Sequence, residues 1–201
     1  MIPVLAVQDP DAACQSLADQ FGFAPVGPGR IAFGAAHIAV AASDDLPANM
    51  IPLRLDHVAF AVADADAVYQ AFGAAGARLD PTFTPDGPRD IPQFWDSGVR
   101  FVFFQGPHGA PFEFCAKNSA GAVDRGHSHF AIRASDLDAA EVPLAAFGAE
   151  RVAEHLLPGD PHPVSVRFLR SGRDMFELFD EAPAARADQT HGWVGFLPDD
   201  T

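Results

Sequence analysis

Cysteine is scarce in this chain of 201 residues, which has only Cys14 and Cys115. Two cysteines cannot build a disulfide framework, and no Cys-x-x-Cys spacing typical of a zinc ribbon occurs. The chain also lacks an apolar run of about 18 residues, so we expect no membrane span. The N-terminus reaches Asp9 and Asp11 before an apolar signal region could form. These absences predict a protein of the reducing cytoplasm.

Basic residues are also few, because 13 lysines and arginines stand against 27 aspartates and glutamates, for a formal net charge of −14. This charge repels nucleic acids and anionic membranes, so we expect neither as a partner. The acidity fits a solubilising surface or, alternatively, a groove that attracts a cation. No phosphate-binding Walker loop, dinucleotide-binding glycine fingerprint or Gly-x-Ser-x-Gly elbow occurs. With 48% hydrophobic and 20% charged residues, the composition is that of a globular protein with a core.

The most informative feature that the sequence does have is an internal duplication. Residues 57–67 and 129–139 share His, Ala, Asp, Asp and Ala at a constant offset of 72 positions (129 − 57). After a difference in length, Phe-Glu-Phe at 112–114 matches Phe-Glu-Leu at 176–178. A fainter third copy, with its own Asp-x-Asp-Ala element at 9–12, leads the chain. The sequence therefore predicts three copies of one structural unit.

Each full copy predicts the order βαβββ and hence an α+β fold. An alternating apolar strand (55–62 and 127–134) precedes a helix (66–76 and 138–148). A four-stranded sheet with a single helix leaves one face uncovered, so two units should pair and form a barrel-like trough between them. The remaining strands are predicted at 77–83, 98–105 and 111–117 in the first full copy and at 150–156, 163–170 and 173–180 in the second.

The patterns divide the chain into four segments. Residues 1–48 form a degenerate N-terminal βαβββ-like module, 53–118 the first full module and 126–182 the second full module. The segment 183–201 is a C-terminal tail for which the sequence indicates no role.

The helices of the full modules are predicted to begin at Asp66 and Asp138. A carboxylate at these positions could accept hydrogen bonds from the free N–H groups of the first helical turn. Gly76 and Gly148 suit the helix ends, where a positive φ is needed. We therefore interpret the Asp-x-Asp-Ala repeat as a capping element and not as a catalytic one.

The duplication repeats a histidine and a glutamate. His57 and Glu113 lie on predicted strands of one module, and His129 and Glu177 occupy the matching positions of the next. Pairing the modules about a pseudo-twofold axis would bring two imidazoles and two carboxylates to one point. Two nitrogen and two oxygen ligands suit one divalent ion such as Zn, Ni, Co, Fe or Mn.

The apolar residues beside each glutamate support this interpretation. In a strand, Phe112 and Phe114 point to the face opposite Glu113, and the same alternation applies around Glu177. The carboxylates would then face the trough, where a buried carboxylate without a cation or a donor is costly. We therefore predict a metal site formed by His57, Glu113, His129 and Glu177.

This arrangement resembles the vicinal oxygen chelate superfamily, which includes glyoxalases, bleomycin-resistance proteins and extradiol dioxygenases. The resemblance covers residues 53–182 well and 1–42 weakly. In that superfamily the first and fourth strands of paired βαβββ modules carry the metal ligands, and this implies the same four residues here. The sequence departs from the superfamily in having three modules, where most members have two or four.

The first copy cannot complete a second site of the same kind. It has Ile2 at the histidine position, and a residue near His37 or Ala39 at the glutamate position. We interpret it as a structural module that packs on the pair or meets its own copy in a homodimer.

The resemblance implies a small-molecule substrate that chelates the metal through neighbouring oxygens, with the ion stabilising an enolate or enediolate. Glu113 or Glu177 would serve both as ligand and as general base. The leading prediction is an isomerase or lyase of the glyoxalase type.

Two alternatives remain open at this point. An extradiol dioxygenase needs two histidines and one carboxylate, which leaves Glu113 surplus. A binding protein of the bleomycin-resistance kind would, as the resemblance implies, lack the metal ligands.

Three further residues are candidates for substrate binding. Arg100 and Arg167 occupy matching strand positions and could hold an anionic group, or they could form surface ion pairs. Trp95 lies in an insert of the first full module, residues 84–96, which is either a flap over the trough or a surface loop.

Overall fold

The computed structural model describes residues 1–118, 126–159, 162–180 and 190–198. These residues form an α+β fold of three α-helices and two β-sheets, and none of the helices is long and apolar enough to cross a membrane. The helices are α1 (Pro10–Phe21), α2 (Ala65–Ala74) and α3 (Leu137–Ala145). The strands are β1 (Ile2–Val7), β2 (Ala24–Gly27), β3 (Arg30–Phe33), β4 (Ala36–Ala42), β5 (Ile51–Pro52), β6 (His57–Ala61), β7 (Arg78–Leu79), β8 (Arg89–Ile91), β9 (Val99–Gln105), β10 (Pro111–Lys117), β11 (Gly126–Ala134), β12 (Glu150–Leu157), β13 (Val164–Ser171), β14 (Asp174–Asp180) and β15 (Gly192–Leu197).

The two full copies share one nine-stranded sheet. Its strand order is β12-β13-β14-β11-β6-β10-β9-β7, with β8 added beside β9. The second full copy has the predicted order βαβββ, and the first has the same order with the short strand β8 added between β7 and β9. The copies join where their first strands, β6 and β11, pair antiparallel. The predicted glyoxalase-like fold of tandem modules is confirmed, and the described strands form an open sheet that is not closed into a barrel.

The N-terminal copy is complete in its secondary structure. It runs β1, α1, β2, β3, β4 in a second, six-stranded sheet of order β2-β3-β4-β1-β15-β5. Strand β15 comes from the segment predicted as a tail, and it pairs antiparallel with β1. Trp193 of this strand is buried, and its indole N–H donates to the Pro111 carbonyl oxygen at 2.9 Å. The tail therefore ties the N-terminal sheet to the first full module.

The helix caps differ from the prediction by two residues. The N-caps are Asp64 and Asp136, whose carboxylates accept hydrogen bonds from backbone N–H groups of the first turn, and not Asp66 and Asp138 as predicted. In each Asp-x-Asp pair both carboxylates could serve as a cap. The first has the extended backbone conformation of a cap, and the second lies within the first helical turn.

The strand predicted at 77–83 is also shorter in the structure. It ends at Leu79, because the buried Asp80 carboxylate accepts hydrogen bonds from the N–H groups of Thr82 and Phe83 and turns the chain. This Asp turn replaces the ladder hydrogen bonds that a longer strand would have made. It directs the chain into the insert.

A phenylalanine-rich core joins the two sheets. Phe21 of α1 packs against Phe72 of α2 and against Phe104, Phe112 and Phe114 of the nine-stranded sheet, with ring centroids 5.3 to 5.9 Å apart. The N-terminal module therefore packs on the helix-bearing face of the first full module. Burying rings of this size contributes about 2 to 3 kcal/mol each. This packing leaves the opposite face of the nine-stranded sheet for the site.

Candidate metal centre

The joined first strands place the two histidines symmetrically. In the antiparallel pair of β6 and β11, His57 lies opposite Ala131 and His129 lies opposite Ala59. This register is the pseudo-twofold relation that the duplication predicts. On each strand a single residue separates the histidine from the alanine, Val58 in β6 and Phe130 in β11, so all four side chains point to the same face of the sheet.

The fourth strands of the modules add the carboxylates in the same way. Strand β10 pairs parallel with β6 and places Glu113 beside Ala59, and β14 pairs parallel with β11 and places Glu177 beside Ala131. The phenylalanines next to Glu113 belong to the core between the sheets. Strand alternation therefore turns both glutamates away from that core and toward the histidines.

The four side chains meet at one point. The Nε2 atom of His129 lies 3.0 Å from Oε2 of Glu113 and 3.0 Å from Oε2 of Glu177. The Nε2 atom of His57 lies 3.2 and 3.5 Å from the same oxygens, and 3.4 Å from Nε2 of His129. All four residues are buried, with exposed fractions of 3 to 7%. The structure thus brings together all four residues of the predicted metal site.

These distances fit the donor set of a single ion. Nitrogen and oxygen ligands bind first-row divalent ions at about 2.0 to 2.2 Å, so neighbouring ligand atoms of one ion lie about 3.0 to 3.5 Å apart. The four nitrogen–oxygen separations and the nitrogen–nitrogen separation fall in this interval, and all four ligand atoms lie within 4.8 Å of one another. The group His57, Glu113, His129 and Glu177 could therefore hold a divalent metal ion.

Without a metal ion, the carboxylates hold protons on the imidazoles. Burial alone would lower the pKa of His129, but the charges of Glu177 and Glu113 and hydrogen bonds with them raise it from 6.5 to about 9. His57 follows the same pattern, and its pKa is raised well above the usual value. Burial works against both carboxylates, but the imidazoles lower the pKa of Glu113 and of Glu177. The cluster is thus arranged to bind positive charge, either protons or a metal ion.

Asp56 contacts the cluster, and the sequence analysis did not predict this contact. Its Oδ1 lies 3.1 Å from Nδ1 of His57, and its Oδ2 accepts a hydrogen bond from Nε of Arg133 at 3.1 Å. A carboxylate on Nδ1 favours the tautomer in which Nε2 carries the free electron pair and points at the cluster. The one sequence feature that could have indicated this contact is the Asp56-His57 dipeptide. The second full module has Ser128-His129 at the matching position.

The N-terminal module shows why three modules give one site. Strand β1 pairs parallel with β4 and places Val4 beside Ala39, which is the register that places Ala59 beside Glu113 in the first full module. The glutamate position is therefore Ala39, and Ile2 takes the histidine position. Both residues belong to an apolar cluster on the face of the N-terminal sheet away from the core.

An apolar cavity of about 140 Å³ opens above the cluster. Residues from both ends of the nine-stranded sheet contribute to its wall, so the sheet curves around it. The insert contributes Ile91 and Phe94, which agrees with the flap interpretation of this segment. The full lining is His57, Phe83, Ile91, Phe94, Phe101, Phe103, Glu113, Leu157, Val166, Glu177 and Phe179.

The structure places Arg100 and Arg167 on the opposite face of the sheet from this cavity. Arg100 forms ion pairs with Asp66 of α2 and with Asp90. Arg167 pairs with Asp138 of α3 and with two glutamates, Glu141 and Glu154. The substrate-binding role predicted for the two arginines has no geometric support, and the ion-pair alternative describes them. The second aspartate of each Asp-x-Asp element is thus a partner in these ion pairs.

Trp95 lies beside the cavity, and it is not part of its lining. Its ring centroid is 4.9 Å from that of Phe168 and 5.0 Å from Nζ of the exposed Lys117. Its φ of 55° lies in the left-handed region, which is uncommon for a residue other than glycine. This conformation turns the chain after Phe94, whose side chain enters the wall.

Comparisons with solved structures identify this fold. Glyoxalase I from Zea mays superimposes with a TM-score of 0.62 at 15% sequence identity, over 90% of this chain and 67% of that one. Methylmalonyl-CoA epimerase from Mycobacterium tuberculosis shows 25% identity and a TM-score of 0.47, over 69% of this chain and 94% of the epimerase. No family model and no curated protein sequence matches this chain.

The chain therefore has the glyoxalase fold. The resemblance to the vicinal oxygen chelate superfamily, predicted from the duplicated motifs, is confirmed at the level of the fold. At 15% identity this likeness concerns the architecture, and the chemistry has to be argued from the site itself.

Proposed function

We propose that this protein is a metal-dependent enzyme of the glyoxalase type, an isomerase or lyase that acts on a small substrate with neighbouring oxygen atoms. The observation that carries the proposal is the meeting of two imidazole nitrogens and two carboxylate oxygens, all buried, at the base of an apolar cavity. A purely structural role does not account for the same buried carboxylate occurring twice.

The residues of the centre divide into two functions. His57, His129, Glu113 and Glu177 would hold the ion, which, when bound, supplies Lewis acidity for a substrate oxygen on which negative charge develops. The contacts between the carboxylates and the imidazoles involve Oε2, so Oε1 of Glu113 or of Glu177 is the candidate acceptor for a proton from the carbon next to a substrate carbonyl.

The cavity wall has a part in the same chemistry. Phe103 and Phe179 lie against the His57 ring, with centroids 4.8 and 6.0 Å away. Apolar walls next to the proton acceptor exclude bulk water, which would otherwise compete for the proton and for the metal. An enolate-like substrate would therefore be protected until the proton returns.

The rival functions make different demands on the site. An extradiol dioxygenase needs two histidines and only one carboxylate, with open positions for oxygen and substrate. Here Glu113 is as close to both imidazoles as Glu177 is, and this favours the four-residue ligand set. A drug-binding protein without catalysis would have no need of the four groups.

Substitution of His129 by alanine tests the proposal. We expect wild-type protein to bind one equivalent of a divalent ion by elemental analysis, and His129→Ala to lose the ion and the activity while its circular dichroism stays native. His37→Ala, in an exposed position of β4, is the matched control and should keep the ion. A panel of small vicinal-oxygen substrates, assayed with and without a chelator, then assigns the reaction.

Full metal stoichiometry in His129→Ala would refute the proposal. So would wild-type protein that takes up none of Zn, Ni, Co, Fe or Mn. The predicted homodimer stays a prediction, which light scattering at micromolar concentration would test.

A further inference from the structure

The wall of the cavity indicates which part of a substrate can bind above the metal centre. Apart from the metal-binding residues, the described lining consists of five phenylalanines and three aliphatic side chains. Such a surface contributes to binding by burying hydrocarbon, and it offers a substrate no hydrogen bonds of its own. Polar recognition is therefore confined to the end of the cavity that holds the cluster.

The size of the cavity limits what can fill it. Its volume of about 140 Å³ is close to that of apolar protein cavities of about 150 Å³ that hold one benzene molecule. One six-membered ring or a branched alkyl group of similar volume would therefore occupy it. A longer substrate would have to extend through the mouth.

The charges around the cavity disfavour a substrate that places an anionic group inside it. The described lining residues include no lysine or arginine, and Arg100 and Arg167 lie on the other face of the sheet. Arg133 lies 5.0 Å above the Phe179 ring, and Asp56 already accepts a hydrogen bond from its guanidinium. An anionic group inside the cavity would have no free cation beside it among these residues, and it would face Glu113 and Glu177.

We infer that the substrate has two neighbouring oxygens at one end and, inside the cavity, an uncharged hydrocarbon body of about the size of one six-membered ring. This inference rests on the proposed function, because the oxygens are placed at the metal. The inference concerns only the part of the substrate inside the cavity. The exposed Lys117 near Trp95 lies outside the lining, so a charged group beyond the mouth is not covered by it.

Three hydroxamic acids test the inference, because each chelates a metal through two neighbouring oxygens and they differ only in the body. Acetohydroxamic acid has a methyl group, benzohydroxamic acid has a neutral ring, and 4-carboxybenzohydroxamic acid has an anionic ring. Dissociation constants are measured on cobalt-loaded protein from the visible spectrum of the ion. We expect benzohydroxamic acid to bind at least about tenfold more tightly than either of the others.

A pair of neighbouring leucines provides the matched variants. Leu157 lines the cavity, and Leu156 is 63% exposed and points to the other face of the same strand. Leu157→Arg places a cation in the wall and should reverse the preference, so that the 4-carboxy compound binds more tightly than benzohydroxamic acid. Leu156→Arg adds the same charge and should keep the wild-type order.

The outcomes separate the two proposals. If cobalt binds but the three compounds have equal affinity, or the anionic ring binds best to wild-type protein, the inference about the substrate is wrong and the metal centre stands. If the protein takes up no cobalt, the proposed function fails, and the inference fails with it. The wild-type comparison decides the matter even if Leu157→Arg does not fold.

Discussion

Asp56→Asn is the substitution that tests the metal centre most sharply, because it changes one atom and leaves all four ligands in place. Asp56 is only 8% exposed, and its carboxylate contacts two groups at once, His57 through Oδ1 and Arg133 through Oδ2. An asparagine amide has one oxygen and one NH2 group, so it can accept a hydrogen bond on one side only.

Either orientation of the asparagine is costly. If its oxygen accepts from Arg133, its NH2 group donates to Nδ1 of His57, and the proton of His57 moves to Nε2, where it blocks metal binding. If its oxygen faces His57 instead, the Arg133 Nε–H is left without this acceptor, at a cost of about 1 to 3 kcal/mol. Loss of such a partner of a metal-bound histidine lowers metal affinity about 10- to 100-fold, which corresponds to about 1.4 to 3 kcal/mol.

The assay is competition for cobalt or zinc between the protein and a chelator of known affinity. Asp136→Asn is the matched control. It removes the same charge, and asparagine can also cap the N-terminus of α3, so this variant should bind metal as the wild type does. Adding Arg133→Met to Asp56→Asn frees the amide to turn its oxygen toward His57, so part of the affinity should return. Affinity within about twofold of wild type in Asp56→Asn would refute the tautomer argument.

Three further predictions follow from the structure. Because the pKa of His129 is raised from 6.5 to about 9 and that of His57 is raised as well, a metal ion must displace protons from the imidazoles, so apparent metal affinity should rise by at least about tenfold per pH unit from pH 7 to 9. Calorimetry in buffers of different ionisation enthalpy would detect the released protons, and a flat profile would contradict the shift. Arg100→Gln removes a surface ion pair with Asp66 and should lower the free energy of unfolding by about 1 kcal/mol or less, with metal stoichiometry and substrate KM unchanged; a large rise in KM would restore its substrate-binding role. Phe114→Ala leaves a cavity at a fully buried position next to Glu113, on the opposite face of the strand. It should lower the free energy of unfolding, measured by urea denaturation, by about 3 to 5 kcal/mol, and a loss below about 1 kcal/mol would contradict the packing.

The errors of the sequence analysis share a physical cause. The helix caps were placed two residues late because both carboxylates of an Asp-x-Asp pair can cap a helix. In the structure the second carboxylate of each pair accepts hydrogen bonds from Arg100 or Arg167, which are distant in sequence. Asp56 was missed because neighbours in a regular strand point to opposite faces. It lies just before β6, where that alternation does not apply.

The cavity wall was beyond prediction for a similar reason. In β9, which runs Val-Arg-Phe-Val-Phe-Phe-Gln, apolar residues fall on both faces, so the pattern does not show which phenylalanines face the trough. Only the packed structure shows that Phe101 and Phe103 line the cavity while Phe104 packs on the helix side. Strand β15 was not predicted for a different reason: it pairs with β1, at the other end of the chain.

The sequence by itself determined that the chain repeats one βαβββ unit and that a histidine and a glutamate recur at matching positions on the same side of their strands. Duplication and strand alternation are local properties, and both can be counted along the chain. Only the tertiary structure decided how closely the four groups meet and which carboxylate orients His57. It also decided that the cavity is apolar and that no lysine or arginine occurs among its described lining residues. Those properties depend on which distant strands become neighbours, and no local pattern encodes the distance between two side chains that pairing brings together.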